Sequence, residues 1–459
     1  MSSTATQPPA HALDRLNSLL SSSDPRLLKV RAGGVVSEVT SAYCRVSGLS
    51  RLVKLGECVE LDSGSHSQLG EVVRIDGNGV TVKPFETAIQ AGLGTRVWRR
   101  GLVTINPDRS WKGRIVNALG APVDGAGPLL QGSQPMTADR VPPSPMRRQR
   151  IRHGLKTGVK AIDLFCPICA GQRIGIFAGS GVGKSTLLAM LARSRGFDTT
   201  VVALVGERGR EVREFLEEAF AEQRSRAVIV VATGDESPMM RRLAPRTAMG
   251  IAEYFRDLGD NVLFVVDSVT RYAHAARDVA LAAGEPPVAR GYTPSVFSEL
   301  PKFLERAGPG VEGTGSITGV FAVLVDGDDH NDPVADNIRG TLDGHIVLDR
   351  TIADQGRYPA INVLTSISRL ANTVWTADQR KLITTLKAMI AHYEDTRDLR
   401  LMGGYSTGTD PELDRAIQIV PIVYNAMKQT PDEPISLDVF QDIARALAPD
   451  APAAASQRA

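Results

Sequence analysis

The chain has 459 residues, with 53 Lys and Arg against 51 Asp and Glu and a formal net charge of +2. That length allows roughly two to four domains with a large core, and the charge balance excludes a chain-wide attraction to nucleic acid, anionic membrane or acidic substrates. Four cysteines are too few for a disulfide scaffold, no basic start with an apolar core opens the chain, and no apolar run approaches the ~20 residues of a transmembrane helix, so the expected setting is cytosolic.

Residues 1–10 are rich in Ser, Thr, Pro and Ala, after which Leu13, Leu16, Leu19 and Leu20 recur at helical spacing. An amphipathic segment over residues 1–26 follows, either packed on its own domain or docking a partner. Between residues 33 and 85, β-rich runs at 35–39, 58–61, 69–75 and 80–82 alternate with turns, the last two joined by Asp76-Gly77-Asn78-Gly79. They predict a small β-barrel domain over residues 27–96. Three prolines within Val141-Pro142-Pro143-Ser144-Pro145 mark a connector.

Apolar strands at 173–177, 200–204, 227–231, 262–266 and 317–325 then alternate with helical stretches. This pattern predicts an α/β domain over 97–372 with a mostly parallel sheet. Leu382, Leu386, Met389, Ile390 and Tyr393 share one helical face, and Asp410-Pro411 supplies an N-cap and first-turn proline for a helix carrying Leu413 and Ile417. A C-terminal helical domain is expected over 373–459.

Ala178-Gly179-Ser180-Gly181-Val182-Gly183-Lys184-Ser185 follows the strand at 173–177, and Thr186 opens an apolar helix. Strand, glycine spacing, Lys-Ser and helix together make the P-loop signature of a Walker A motif. Ala178 stands where the pattern begins with Gly. The glycines let backbone N–H groups face phosphates, Lys184 reaches the β and γ phosphates, and the Ser185 hydroxyl suits magnesium. A dinucleotide fold is set aside, because Lys184 sits where that fold needs close helix packing and no acidic ribose partner follows ~20 residues on. Asp267 ends the run Leu263-Phe264-Val265-Val266, the position of a carboxylate acting on magnesium through water. Glu207 and Arg208 follow the strand at 200–204. A carboxylate there either orients an attacking water or belongs to a solvated charge cluster.

From about residue 30 to 450 the sequence resembles the family of rotary ATPase subunits and type III export ATPases. The resemblance is carried by Gly113-Arg114-Ile115-Val116-Asn117 with Gly120 and Asp124-Gly125, Thr157-Gly158-Val159-Lys160-Ala161-Ile162-Asp163, the phosphate loop, Gly206-Glu207-Arg208, and Pro359-Ala360-Ile361-Asn362 through Ser366-Ile367-Ser368-Arg369. It implies a homohexamer hydrolysing ATP with Mg2+ at its subunit interfaces. In that reading Glu207 is the catalytic carboxylate, Arg208 senses the γ phosphate, Tyr358 stacks on adenine, and Arg369 is a finger reaching a neighbour's nucleotide. Glu207 stands where non-catalytic ring subunits resemble Gln.

Ser295-Val296-Phe297-Ser298-Glu299-Leu300-Pro301, Leu304-Glu305-Arg306-Ala307-Gly308, Asp332-Pro333-Val334-Ala335-Asp336 and Asp343-Gly344-His345-Ile346 resemble the export branch. Gly403-Gly404-Tyr405 and Asp410 favour its flagellar over its virulence members. This implies ATP-driven protein export at the cytosolic face of the inner membrane, with peripheral membrane contact. Implied partners are a regulator on the N-terminal segment, a central stalk protein, and an export gate with export substrates or chaperones. A rotary synthase subunit is one rival reading. Another is a nucleic-acid translocase, which needs base-stacking aromatics where this barrel offers Tyr43 and Phe85.

Three signals are set down. Cys166-Pro167-Ile168-Cys169 has no second pair or His cluster and reads as apolar filler. Arg147, Arg148, Arg150 and Arg152 read as a solvated basic linker or an acidic-lipid contact. His345 reads as a packing residue within a loop.

Overall fold

The computed structural model describes residues 31–447 except 65, 220–222, 326–331 and 437, and leaves the side chains of 218 and 219 undescribed. The amphipathic segment expected at 1–26 lies outside the described residues. Two compact units emerge, one holding most residues up to Gly101 and the other running from Leu102 onward together with Phe85–Thr87.

In the first unit, strands β1 (Gly33–Val39), β2 (Cys44–Ser47), β3 (Cys58–Asp62), β4 (Ser67–Asp76), β5 (Gly79–Pro84) and β6 (Arg96–Gly101) form a closed barrel in the order β1-β2-β5-β4-β3-β6. Alternation sends Val36, Val46, Val59, Leu61, Val72, Val80, Val82 and Val97 inward. Asp76 pairs with Gly79 across the expected hairpin. Gly34 is required where β1 and β2 close up, since a Cβ there would lie 2.3 Å from the Ser47 carbonyl oxygen.

The closing strand β6 runs to Gly101, beyond the expected barrel end at residue 96. It escaped the sequence pattern because Val97 is its one buried residue. Its arginines face outward, and Arg99 makes a bidentate pair with Glu57 at 2.6 and 2.7 Å. The strand also adds Trp98 to the aromatics counted for the barrel.

In the second unit a mostly parallel sheet is built from β7 (Ile115–Asn117), β8 (Arg173–Ala178), β9 (Thr199–Val205), β10 (Ala227–Ala232), β11 (Asn261–Asp267), β12 (Ser316–Leu324), β13 (Gly344–Leu348) and β14 (Ile367–Ser368). Their order is β14-β13-β8-β12-β11-β9-β10-β7. The central strands are unbroken apolar runs because helices cover both faces. His345 therefore lies on a strand rather than in a loop, its ring edge-on to Phe177 at 5.8 Å.

Helices α1 (Lys160–Phe165), α2 (Lys184–Ala192), α3 (Gly209–Glu214), α4 (Pro238–Asp257), α5 (Val269–Ala282), α6 (Pro294–Leu304) and α7 (Arg350–Asp354) flank the sheet. They are followed by α8 (Ala377–Asp395), α9 (Pro411–Met427) and α10 (Val439–Leu447). Asp410 accepts the Glu412 and Leu413 N–H groups and caps α9, with Pro411 at its first turn. Such a cap stabilises a helix by ~1 kcal/mol. A reciprocal Thr376–Gln379 box starts α8. Ile383, Leu386 and Ile390 of α8, Val420 and Val423 of α9, and Ile443 of α10 join the apolar core under the sheet.

Candidate functional site

Three parallel strands deliver the polar side chains to one edge. The loop after β8 leads into α2, Asp267 ends β11, and Glu207 follows β9, all at the carboxyl ends where open α/β sheets bind ligands. The loop itself needs glycine: Gly181 and Gly183 have φ of +77° and +94°, and Gly183 caps α2 in the left-handed region. Ala178, Gly179 and Val182 are buried, whereas Ser180, Gly181, Ser185 and Thr186 are exposed. The loop's backbone is thus rooted in the core and its N–H edge is open to a phosphate.

The Lys184 ammonium donates to the Asp267 carboxylate and lies 3.7 Å from Glu207. Asp267 is buried, its side chain 4 % exposed. Burial pushes the Glu207 carboxyl up to about 7; Lys184 opposes that shift, while the charges of Asp267 and Glu211 add to it. A carboxyl poised near neutrality beside a lysine is suited to proton transfer or to orienting water. A cavity of about 470 Å³ opens beside this cluster, lined among others by Ser185, Thr186, Glu207, Asp267, Pro431 and Asp432.

The other expected residues are placed differently. Arg208 stands at the N-cap position of α3, is exposed, and lies 3.5 Å from Glu211, which lines the cavity beside Glu207. Tyr358 is about half exposed and borders the phosphate loop, its ring carbons 3.7 Å from where a Cβ on Gly183 would sit. Arg369 is far from the cluster: its N–H binds the Asp343 carbonyl at 2.9 Å, beside the start of β13, while the phosphate loop lies beyond the other end of the neighbouring β8. Its side chain is exposed and makes no ion pair among the described residues.

Sequence reasoning missed Arg350, which donates to the Ser180 carbonyl at 2.9 Å, and Pro431 and Asp432, which reach the cavity from the α9–α10 connection. The latter carry no local motif, and only the fold brings them near.

The cysteine pair and one arginine of the basic run are packed into the fold. Cys166 and Cys169 are buried free thiols that burial pushes up to about 12 and about 11. Arg148 is not part of a solvated linker: its side chain donates to the Pro143 and Glu305 carbonyls at 2.9 and 2.8 Å, leaving Arg147, Arg150 and Arg152 exposed. Among the described residues no helix is long and apolar enough to cross a membrane.

The ATP synthase alpha/beta family nucleotide-binding domain matches residues 158–368, and the T3SS EscN ATPase C-terminal domain matches residues 375–445. The flagellum-specific ATP synthase of Agrobacterium fabrum is 57% identical over 424 residues, covering 92% of this chain and 89% of that protein. The chain belongs to the flagellar and type III secretion ATPase family. Its activity is accordingly ATP hydrolysis serving type III protein export. The flagellum-specific ATP synthase of Bacillus subtilis is 43% identical, covering 87% of this chain and 94% of that one. Among solved structures, the assembled ATPase EscN of the enteropathogenic E. coli type III secretion system aligns with TM-score 0.82 at 40% identity, covering 90% of this chain and 99% of that chain. Membership accounts for the barrel, sheet and helices as one architecture.

Proposed function

We propose that this export ATPase works as a homohexameric ring with its active sites between subunits, and that it serves the flagellar branch. The observation carrying the ring is the position of Arg369, its side chain exposed and without an ion pair among the described residues, at the end of β13 remote from its own phosphate loop. An arginine there is useless to its own nucleotide and available to a neighbour's. In support, EscN has been solved assembled, and in complex with its central stalk EscO.

Within each site the residues divide the work. Lys184 releases Asp267 and turns to the β and γ phosphates, so the ion pair acts as a placeholder for the substrate's charge. Glu207, ionised, accepts a hydrogen bond from the attacking water and aligns it with the γ phosphorus. Arg208 swings from Glu211 toward the γ phosphate, Tyr358 stacks on the adenine, and the backbone from Ala178 to Thr186 cradles the phosphates. The Ser185 hydroxyl and, through water, Asp267 form an oxygen donor set that fits magnesium. When bound, Mg2+ neutralises charge on the phosphate oxygens.

The same reading places the protein at the cytosolic face of the inner membrane as a peripheral component. A regulator would hold residues 1–26, and a central stalk, an export gate and substrates or chaperones would complete the machine, with no nucleic acid. The flagellar choice rests on the Agrobacterium and Bacillus relatives, although the SPI-2 type 3 secretion system ATPase of Salmonella typhimurium is 44% identical over 385 residues. Ring assembly is tested by turnover per chain against protein concentration. A steep rise that tracks hexamer formation by sedimentation is expected, and constant turnover in a monomer would overturn the proposal. Co-purification from cells with flagellar rather than injection components decides the branch.

A further inference from the structure

Gln429, just past the end of α9, is 5% exposed. Its Nε2 donates to the Gly158 carbonyl at 2.8 Å, and its Oε1 accepts the Lys160 N–H at 3.1 Å. Its own N–H donates to the Tyr358 carbonyl at 2.9 Å.

The bond from Lys160 satisfies a donor at the start of a helix. The start of α1 has Val159 at its N-cap, which offers no side-chain acceptor. Asp163 takes the N–H groups of Thr157 and Gly158, and the Thr157 hydroxyl takes that of Val159. Lys160 would be left an orphan donor, and Gln429 caps it from the far end of the chain. Gly158 has φ of +80° and no room for a Cβ, which would meet Ile435 at 2.9 Å. Lys160 also pairs with Glu433 at 3.2 Å. The stretch from Gln429 to Ile435 is therefore fastened along residues 157–160, and between those fastenings Pro431 and Asp432 line the nucleotide cavity.

Tyr358 depends on the same helix. Its hydroxyl and ring make no hydrogen bond among the described residues, so its main chain has to place it. Gln429 holds its carbonyl, and the preceding Arg357 lays its guanidinium over the Tyr424 ring of α9 at 3.9 Å.

We infer that Gln429 is a positioning residue for nucleotide binding: by bolting the α9–α10 connection to residues 158–160 and to Tyr358, it sets the base platform over the phosphate loop. Affinity for the base is thereby tied to the seating of the C-terminal helices. This rests on the reading of Tyr358 as the adenine platform. Among the described residues the phosphate loop, Ala178 to Thr186, makes no hydrogen bond to Gln429, Pro431 or Asp432, so the phosphate contacts keep their own footing.

The test uses the full chain with Gln429→Met, which keeps the volume and removes both side-chain bonds, and Gln429→Glu, which keeps the acceptor for Lys160 and loses the donor. Loss of two neutral hydrogen bonds predicts a roughly tenfold rise in KM for ATP and in Kd for ADP with Gln429→Met, with a smaller fall in kcat. Gln429→Glu falls between. Tripolyphosphate, which has no base, binds both variants as it binds the wild type. Adding Gln429→Met to Tyr358→Ala weakens ADP binding no further than Tyr358→Ala alone. Equal loss of ADP and tripolyphosphate, no loss of either, or additive effects would overturn the inference. If Tyr358→Ala itself leaves ADP binding intact, the platform reading fails first, and that outcome is distinct from the others.

Discussion

Arg369 and Lys184 belong to opposite ends of two neighbouring parallel strands: Arg369 bonds beside the start of β13, and Lys184 follows the end of β8. Even the short β13 puts ~13 Å between its two ends. No rotamer of Arg369 spans that length and still leaves its guanidinium on its own γ phosphate. Arg369→Ala is expected to bind nucleotide nearly normally and to lose on the order of a thousandfold in turnover. Mixed with Glu207→Gln under assembling conditions, it should recover activity, because interfaces of one polarity then pair an intact Glu207 with an intact Arg369. Steady-state assays across mixing ratios check this, and continued inactivity despite co-assembly removes Arg369 from the site.

Lys184→Ala should abolish hydrolysis while far-ultraviolet circular dichroism stays native, since the side chain contacts the Asp267 and Glu207 carboxylates and is no part of the apolar core. Its loss also leaves the buried Asp267 carboxylate without its cation, so a fall of ~1–3 kcal/mol in unfolding free energy is expected. Equilibrium urea unfolding of the two proteins measures it. An unchanged midpoint would mean the Lys184–Asp267 pair contributes nothing to the nucleotide-free fold.

Glu207 must be ionised to hold the attacking water, and burial raises it to about 7. The acid limb of kcat/KM, which reports the free enzyme, should therefore bend near that value, with activity rising as pH increases through it. Glu207→Gln should bind ATP, hydrolyse it very slowly, and lack that limb in its residual rate. A limb bending near 4.5, the ordinary carboxylate value, would show that burial does not raise the group that holds the water, and a limb that persists in Glu207→Gln would show that this group is not Glu207.

Glu299 on α6 tests the export-branch segment. Burial alone would raise its carboxyl, but bidentate contact with Arg242 at 2.8 and 3.1 Å, the nearby Arg246 charge and the Tyr272 hydroxyl at 2.7 Å hold it down at about 2. A depressed folded value contributes stability above the unfolded value of about 4.5 that is lost as pH falls from there toward about 2. Glu299→Gln should cost ~2 kcal/mol at neutral pH, because it strips the charge from a partly buried network while leaving two arginines there. The gap between variant and wild type in urea unfolding should narrow as the pH drops below about 4.5. A pH-independent gap would assign the cost to packing.

Local chemistry was legible wherever neighbours in sequence are also neighbours in space. The Val80 and Val82 alternation, the Asp76 to Gly79 hairpin, the glycine spacing before Lys184 and the Asp410-Pro411 cap all appear in the structure because each is decided within a few residues by strand period, turn geometry or an orphan N–H. Elements decided by partners were not legible. β6 has one buried side chain and is held by Glu57 and its barrel neighbours, and β13 is a short run whose burial depends on β8. Arg148 looked like its exposed neighbours until the fold brought Glu305 to it. The meeting of Lys184, Glu207 and Asp267 follows from the order in which parallel strands assemble, and the reach of Gln429 to Lys160 from the way the last helices fold back on the sheet. Sequence alone determined which residues could carry phosphate chemistry. Tertiary structure decided which of them stand together and which, like Arg369, are left facing outward for another subunit, because those relations are set by long-range packing that no local period records.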